Sequence, residues 1–168
     1  MESDITTAAL ATYIVREIER MFPARPMGRS RLQKLFYVLS REGPVNFPFD
    51  LFMNGPYSDV VEKALALAVE VGMLTAVKEN GRSSISARGG VSGEVSPELW
   101  ERANQCILAY GFYEEGDLAI LTTALFLEDN DCIGPDELVR AVLAVNHRFD
   151  PRRVCSLLDR SAVVFRSW

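Results

Sequence analysis

Few side chains in this sequence are of the types that do acid–base or nucleophilic work. There is one histidine, His147, and there are three widely spaced cysteines, Cys106, Cys132 and Cys155, with no CxxC pair. A lone histidine removes most Ser/His and Cys/His schemes, which need a nucleophile beside its base. Near the end of an amphipathic segment, His147 reads as a structural or capping residue. An odd cysteine count argues against a disulfide scaffold or a structural zinc, so the three read as small buried apolar side chains. The acidic run EDNDCIGPDE at 128–137 invites a calcium loop. Counted from Asp129, loop position five is Ile133 and position twelve is Arg140, where an EF-hand needs an oxygen ligand and a glutamate. EEGD at 114–117 reads as a polar loop, and no Walker or Rossmann glycine pattern is present. The expectation is a protein with no catalytic residue, no metal and no cofactor.

Charge offers a second kind of chemistry. The chain carries −5 overall, but unevenly: residues 1–90 hold 11 Lys and Arg against 10 Asp and Glu, and residues 91–168 hold 7 against 13. Residues 16–41 hold seven cations (Arg16, Arg20, Arg25, Arg29, Arg31, Lys34, Arg41) opposed by Glu17 and Glu19 alone. A whole-protein basic footprint for nucleic acid is missing, while a local basic patch is compatible with the sequence.

These residues must be positioned by elements that the sequence marks clearly. At 48% hydrophobic and 24% charged, 168 residues suit one compact domain or two small subdomains sharing a core. No apolar run approaches the roughly 20 residues of a membrane helix, and MESDITTAAL lacks a signal-peptide pattern, so a cytoplasmic protein is the expectation. Residues 6–22 read as a first helix, with Leu10, Ile14, Ile18 and Met21 on one face. PARPMG breaks it. A second helix follows, with Ser30 and Gln33 at capping-box spacing, a Leu32, Leu35, Phe36, Leu39 stripe, and Gly43-Pro44 as its stop. VNFPFDLFM at 45–53 is an extended connector or short edge strand, since Pro48 excludes a central strand. After Asn54-Gly55-Pro56-Tyr57, Ser58 or Asp59 caps a helix over 59–72.

Residues 73–88 are a hairpin around Asn80-Gly81, with Glu79 facing Arg82, Ala76 facing Ile85 and Leu74 facing Ala87. GGVSGE at 89–94 is a linker. Helices then start at Ser96-Pro97-Glu98, at Gly134-Pro135 and at Asp150-Pro151, and LAILTTALFL at 118–127, apolar all round, is the central one. The fold class is therefore mainly α with a small β-hairpin. Residues 1–90 form a winged helix-turn-helix-like half, and residues 91–168 a helical subdomain packed on it or used for homodimerisation, with one compact domain as the alternative.

RLQKLFYVLS at 31–40 followed by NGPYSDVVEKALALAVEVGML resembles the YwgA-like proteins and, more distantly, the Panacea or SocA-like antitoxin domain. Leu32, Gln33, Lys34, Leu35 and Tyr37 carry the first part of the likeness, and Gly55, Pro56, Tyr57 and Ser58 the second, within about residues 29–75. The antitoxin branch implies direct binding of a toxin or its delivery to a protease. The resemblance brings no catalytic residue.

The helix at 59–72 bears on the choice of partner. Its polar stripe is Asp59, Glu62, Lys63 and Glu70. Three carboxylates on a recognition helix would be repelled by DNA phosphates, whose affinity rests on Lys and Arg. The first expectation is therefore a protein partner, a toxin or a regulated protein, held by Tyr37, Tyr57, Asp59, Glu62 and Lys63. The second is a DNA-binding regulator using Arg29, Arg31 and Lys34 of the second helix with Lys78, Arg82 and Arg88 of the wing.

Overall fold

A computed structural model describes residues 2–24, 27–43, 45–88 and 95–165, with side chains over 4–160. Pro44, expected to stop the second helix, and the expected linker at 89–94 lie outside the described residues, as does Arg25. The described residues form seven helices and two antiparallel hairpins. In order these are α1 (Glu2–Met21), α2 (Arg29–Glu42), β1 (Asp50–Phe52), β2 (Gly55–Tyr57), α3 (Asp59–Glu70), β3 (Leu74–Glu79) and β4 (Arg82–Ala87). Four helices follow: α4 (Pro97–Tyr110), α5 (Glu115–Asp131), α6 (Pro135–Val145) and α7 (Pro151–Phe165). The chain is thus mainly helical, and no helix among the described residues is long and apolar enough to cross a membrane.

Apolar side chains divide into two cores. The first gathers Leu10, Ile14 and Ile18 of α1, Leu32, Leu35, Phe36 and Leu39 of α2, Val61 and Leu65 of α3, and Leu74 and Ile85 of the β3–β4 hairpin. Leu99, Ala103 and Ile107 of α4 join it as well. The second is built from α5, α6 and α7, around Leu121, Val142 and Val154. Helix α5 is apolar on every side and serves both: Leu118 and Leu125 face the first core, Ile120, Leu121 and Ala124 the second. The boundary expected after residue 90 therefore does not separate the cores, because α4 packs on α1 and α2.

Helix α2 departs furthest from its sequence reading. A stripe at helical spacing implies one buried face, yet every residue from Arg31 to Leu39 is buried. The reason is tertiary: α4, α5 and β2 pack against the sides that periodicity assigned to water. The helix also starts at Arg29, with Gly28 as its cap and no side-chain cap bond. Gln33 does not close a capping box on Ser30.

The β3–β4 hairpin has the register read from its turn, Glu79 opposite Arg82, Ala76 opposite Ile85 and Leu74 opposite Ala87. Asn80 and Gly81 take φ of 51° and 76°, as a two-residue turn of this kind requires. Only the base of its apolar face is covered: Leu74 and Ile85 are buried, while Ala76 is exposed. The tip of this hairpin is exposed. The helix starts at Ser96, Gly134-Pro135 and Asp150-Pro151 lie where capping chemistry puts them, and Ser96 Oγ accepts from Leu99 N at 3.3 Å.

Candidate partner-binding surface

Helices α2 and α3 are not joined by a simple turn. The intervening chain folds into the β1–β2 hairpin, with Asp50 opposite Tyr57, Leu51 opposite Pro56 and Phe52 opposite Gly55. Strand alternation sends Leu51 inward against the second core and leaves Phe52 outward. Phe52 and Met53, at the hairpin tip, are 56% and 49% exposed.

Two consecutive residues of α2 clasp this hairpin. Gln33 Nε2 donates to Ser58 O at 3.0 Å, and Gln33 Oε1 accepts from Ser58 N at 3.0 Å. The Lys34 ammonium donates to Pro56 O at 3.1 Å. Both side chains are buried. The two halves of the sequence pattern, Leu-Gln-Lys-Leu and Gly-Pro-Tyr-Ser, are thus in contact, and the first holds the second. Replacing Gln33 by alanine removes both bonds and strands a buried N–H. We expect it to lower unfolding free energy by about 2 kcal/mol in urea titrations, with far-UV circular dichroism of the folded protein unchanged.

The expected partner-binding residues separate on this scaffold. Tyr57 is half-buried, with its ring edge-on to Phe52 at 5.4 Å and 80°. Burial first, then the nearby carboxylates of Glu62 and Asp59, raise its pKa, so it remains a neutral phenol at physiological pH. Asp59 and Lys63 are exposed, and Glu62 forms an ion pair with Arg29. Tyr37 is a correction: it is 6% exposed, its hydroxyl donates to Asp129 at 3.2 Å, and its ring packs against Phe49 and Phe126. It cannot anchor a partner. Burial and the charge of Asp129 push its pKa upward.

The expected DNA-binding residues divide likewise. Arg31 and Lys34 are corrections, being 1% and 3% exposed; Arg31 donates to Gly111 O under α4. Arg29 is engaged by Glu62. Elsewhere in the basic stretch Arg20 pairs with Glu17 and Arg41 with Asp129 and Glu42. Much of the expected patch is therefore buried or ion-paired, and Lys78, Arg82 and Arg88 remain exposed on the β3–β4 hairpin.

Phe52, Met53 and Tyr57 wall a groove of about 450 Å³ whose floor is Gln33 and Lys34 and whose rim is Arg29 with Glu62. A second, larger cleft of about 720 Å³ lies beside it, between the start of α2, the start of α5 and the wing. The two meet along Arg29, Ser30 and Asn54. Sequence reasoning missed Phe52, Met53 and the role of Gln33. An Asn-Gly turn at 54–55 would put Met53 opposite Pro56, whereas the hairpin turns at Met53-Asn54 and pairs Phe52 with Gly55.

His147 is exposed in the turn after α6. Cys106 is buried, its thiol pushed up to about 12 by burial, but Cys132 and Cys155 are exposed, which corrects the reading of all three as core residues. Among the described residues, no three His, Cys, Asp or Glu side chains gather as metal ligands do. No family model matches this sequence, and no curated protein matches it.

Proposed function

We propose that this chain is a non-enzymatic, cytoplasmic interaction module that holds a protein partner, antitoxin-like or adaptor-like, in the groove beside Tyr57. The observation that carries this reading is the pair of outward apolar side chains, Phe52 and Met53, on a hairpin fixed from below by buried hydrogen bonds. Large apolar groups on a rigid support bind with little ordering cost, and aromatic anchors dominate interface energies. Tyr57 packs on Phe52, Glu62 stands on the groove's rim, and Asp59 lies near enough to act on the Tyr57 phenol, polar neighbours of the kind interfaces carry. The double substitution Phe52→Ser, Met53→Ser should leave the melting temperature within a few degrees, because both side chains face water. It should weaken capture of the partner from native lysate by more than about 100-fold, the loss of two anchors of about 1.5–2 kcal/mol each. Undiminished capture would exclude this surface.

A second reading rests on the wing, where Lys78, Arg82 and Arg88 are exposed. As a DNA-binding regulator, the protein would show an affinity falling steeply with salt, since each phosphate contact releases a counterion. Against it stand the exposed carboxylates of α3 and the burial of Arg31 and Lys34.

A further inference from the structure

Lys34 is 3% exposed, and its ammonium makes one hydrogen bond, to Pro56 O. An ammonium has three donors, so among the described residues two protons of this buried cation have no acceptor, and no ion pair compensates the charge. Glu115 acts on it only through its field. Such a group is incomplete as it stands, and it lies on a groove that runs into the larger cleft.

That cleft is lined by further donors, the exposed Arg82 and the half-buried Ser30, Ser83 and Ser84. Arg82 has no ion pair, and the hydroxyls of Ser30, Ser83 and Ser84 have no hydrogen-bond partner among the described residues. We propose that the two adjoining cavities form a binding site for a small phosphate ester, with Arg29 at their junction exchanging Glu62 for the phosphate, Arg82, Ser83 and Ser84 as donors on the cleft side, Lys34 on the groove side, and Ser30 shared by both. The number of donors favours phosphate over a carboxylate, which has fewer oxygens to share among them. The first turns of α2 and α5, helices of 14 and 17 residues without side-chain cap bonds, open on the same space and add their dipoles. Phe149 and Ala119 wall the cleft beyond the charged end and offer apolar surface to the organic part of the ester.

Glu115 is the opposing group. One of its carboxylate oxygens lies 3.4 Å from where a side chain on Gly28 would begin, so negative charge already sits at the start of α2. A phosphate must displace it. This gives the proposal a signature that a structural role for these residues would not produce. Removing the carboxylate should tighten phosphate binding, while removing the cations should weaken it.

The test is a titration of the full chain, followed by amide NMR at constant ionic strength, with inorganic phosphate and then a nucleoside 5′-monophosphate. Saturating shifts are expected at Arg29, Ser30 and Gly116, with the ester binding more tightly than free phosphate. Arg82→Gln and Lys34→Met should each weaken binding about tenfold, the worth of one charge-assisted hydrogen bond, and Glu115→Gln should strengthen it by a similar factor. Shifts that stay linear in phosphate, or a midpoint unmoved by Arg82→Gln and Glu115→Gln, would overturn the assignment. A short DNA duplex that binds where neither small ligand does, with shifts centred on Lys78 and Arg88, would overturn it in favour of nucleic-acid backbone.

Discussion

Replacing Gly55 by alanine should cost about 3 kcal/mol of folding stability. Two separate causes combine. Gly55 has φ of +105°, where an L side chain is strained by about 1–2 kcal/mol. A Cβ there would also stand 2.9 Å from Lys34 Cε and 3.3 Å from the hydroxyl oxygens of Thr122 and Thr123. Relieving that overlap means moving the lysine that holds Pro56, or α5 itself, at about 1–3 kcal/mol for an overpacked site. Gly81→Ala is the internal control. It has φ of +76° and nothing within 4 Å of a new Cβ, so it carries the backbone strain alone. Urea denaturation of both variants separates the two contributions. Equal losses would mean that the Gly55 pocket yields and the clasp is loose.

The second large effect is a dependence on pH. Burial lowers the Lys34 pKa from 10.5 to about 8, against a smaller opposing pull from Glu115. The folded state thus disfavours the ammonium, and the unfolded chain binds the proton more tightly. Between pH 8 and 10.5 the unfolded state holds more protons, so the contribution of Lys34 to stability rises with pH. Below pH 8 the penalty is fully present, on the order of 3 kcal/mol at 1.36 kcal/mol per pKa unit. Lys34→Met keeps the stem and removes the charge, at the cost of a donor to Pro56 O worth about 1 kcal/mol. We expect the variant to be more stable than the parent by about 2 kcal/mol at pH 7, and the advantage to vanish by pH 10.5. Taking the difference between the two proteins cancels other titrating groups. A difference independent of pH would show that Lys34 is solvated as it would be on a surface.

Both effects arise at one place, which bears on what could be read from the sequence. The helices and the β3–β4 hairpin were legible because their signals are local: apolar periodicity, Ser96 and Pro135 at helix starts, Asn80-Gly81 at a hairpin. The wing register followed from the turn alone. The fate of the polar side chains of α2 was not legible, because Arg31, Lys34 and Tyr37 are buried by α4 and α5, which come from distant sequence. Periodicity within one helix says which face is most apolar, and says nothing about whether a second or third neighbour covers the rest. The same fact transforms the meaning of the motif. Gln33 and Lys34 look like surface polar residues in a helix, yet they serve as the buried clasp of the Gly-Pro-Tyr-Ser segment.

Of the candidate surface, Tyr57 and its acidic neighbours were legible as residue types suited to an interface. Phe52 and Met53 were not, because Pro48 and Pro56 argue against strands and the hairpin was read as a connector. Proline at 56 is tolerated because a two-stranded ribbon is all edge. The expectation of DNA binding through α2 failed for a reason that charge counting cannot supply. A cation in the sequence meets a DNA backbone only if it stands on the outer surface, and of the six named for that role Arg31 and Lys34 are buried and Arg29 is ion-paired to Glu62.

The central claim is that the groove beside Tyr57 holds a protein. Its most direct test is recovery of the tagged full-length chain from its native cells, with the lysate split, half treated with nuclease, and both halves washed at low and high salt. The parent protein and the Phe52→Ser, Met53→Ser variant are run in parallel. With the parent we expect a near-stoichiometric protein that survives nuclease and salt, and with the variant its absence. Nucleic acid recovered at low salt and lost at high salt, equally with both proteins, would contradict it and transfer function to the wing.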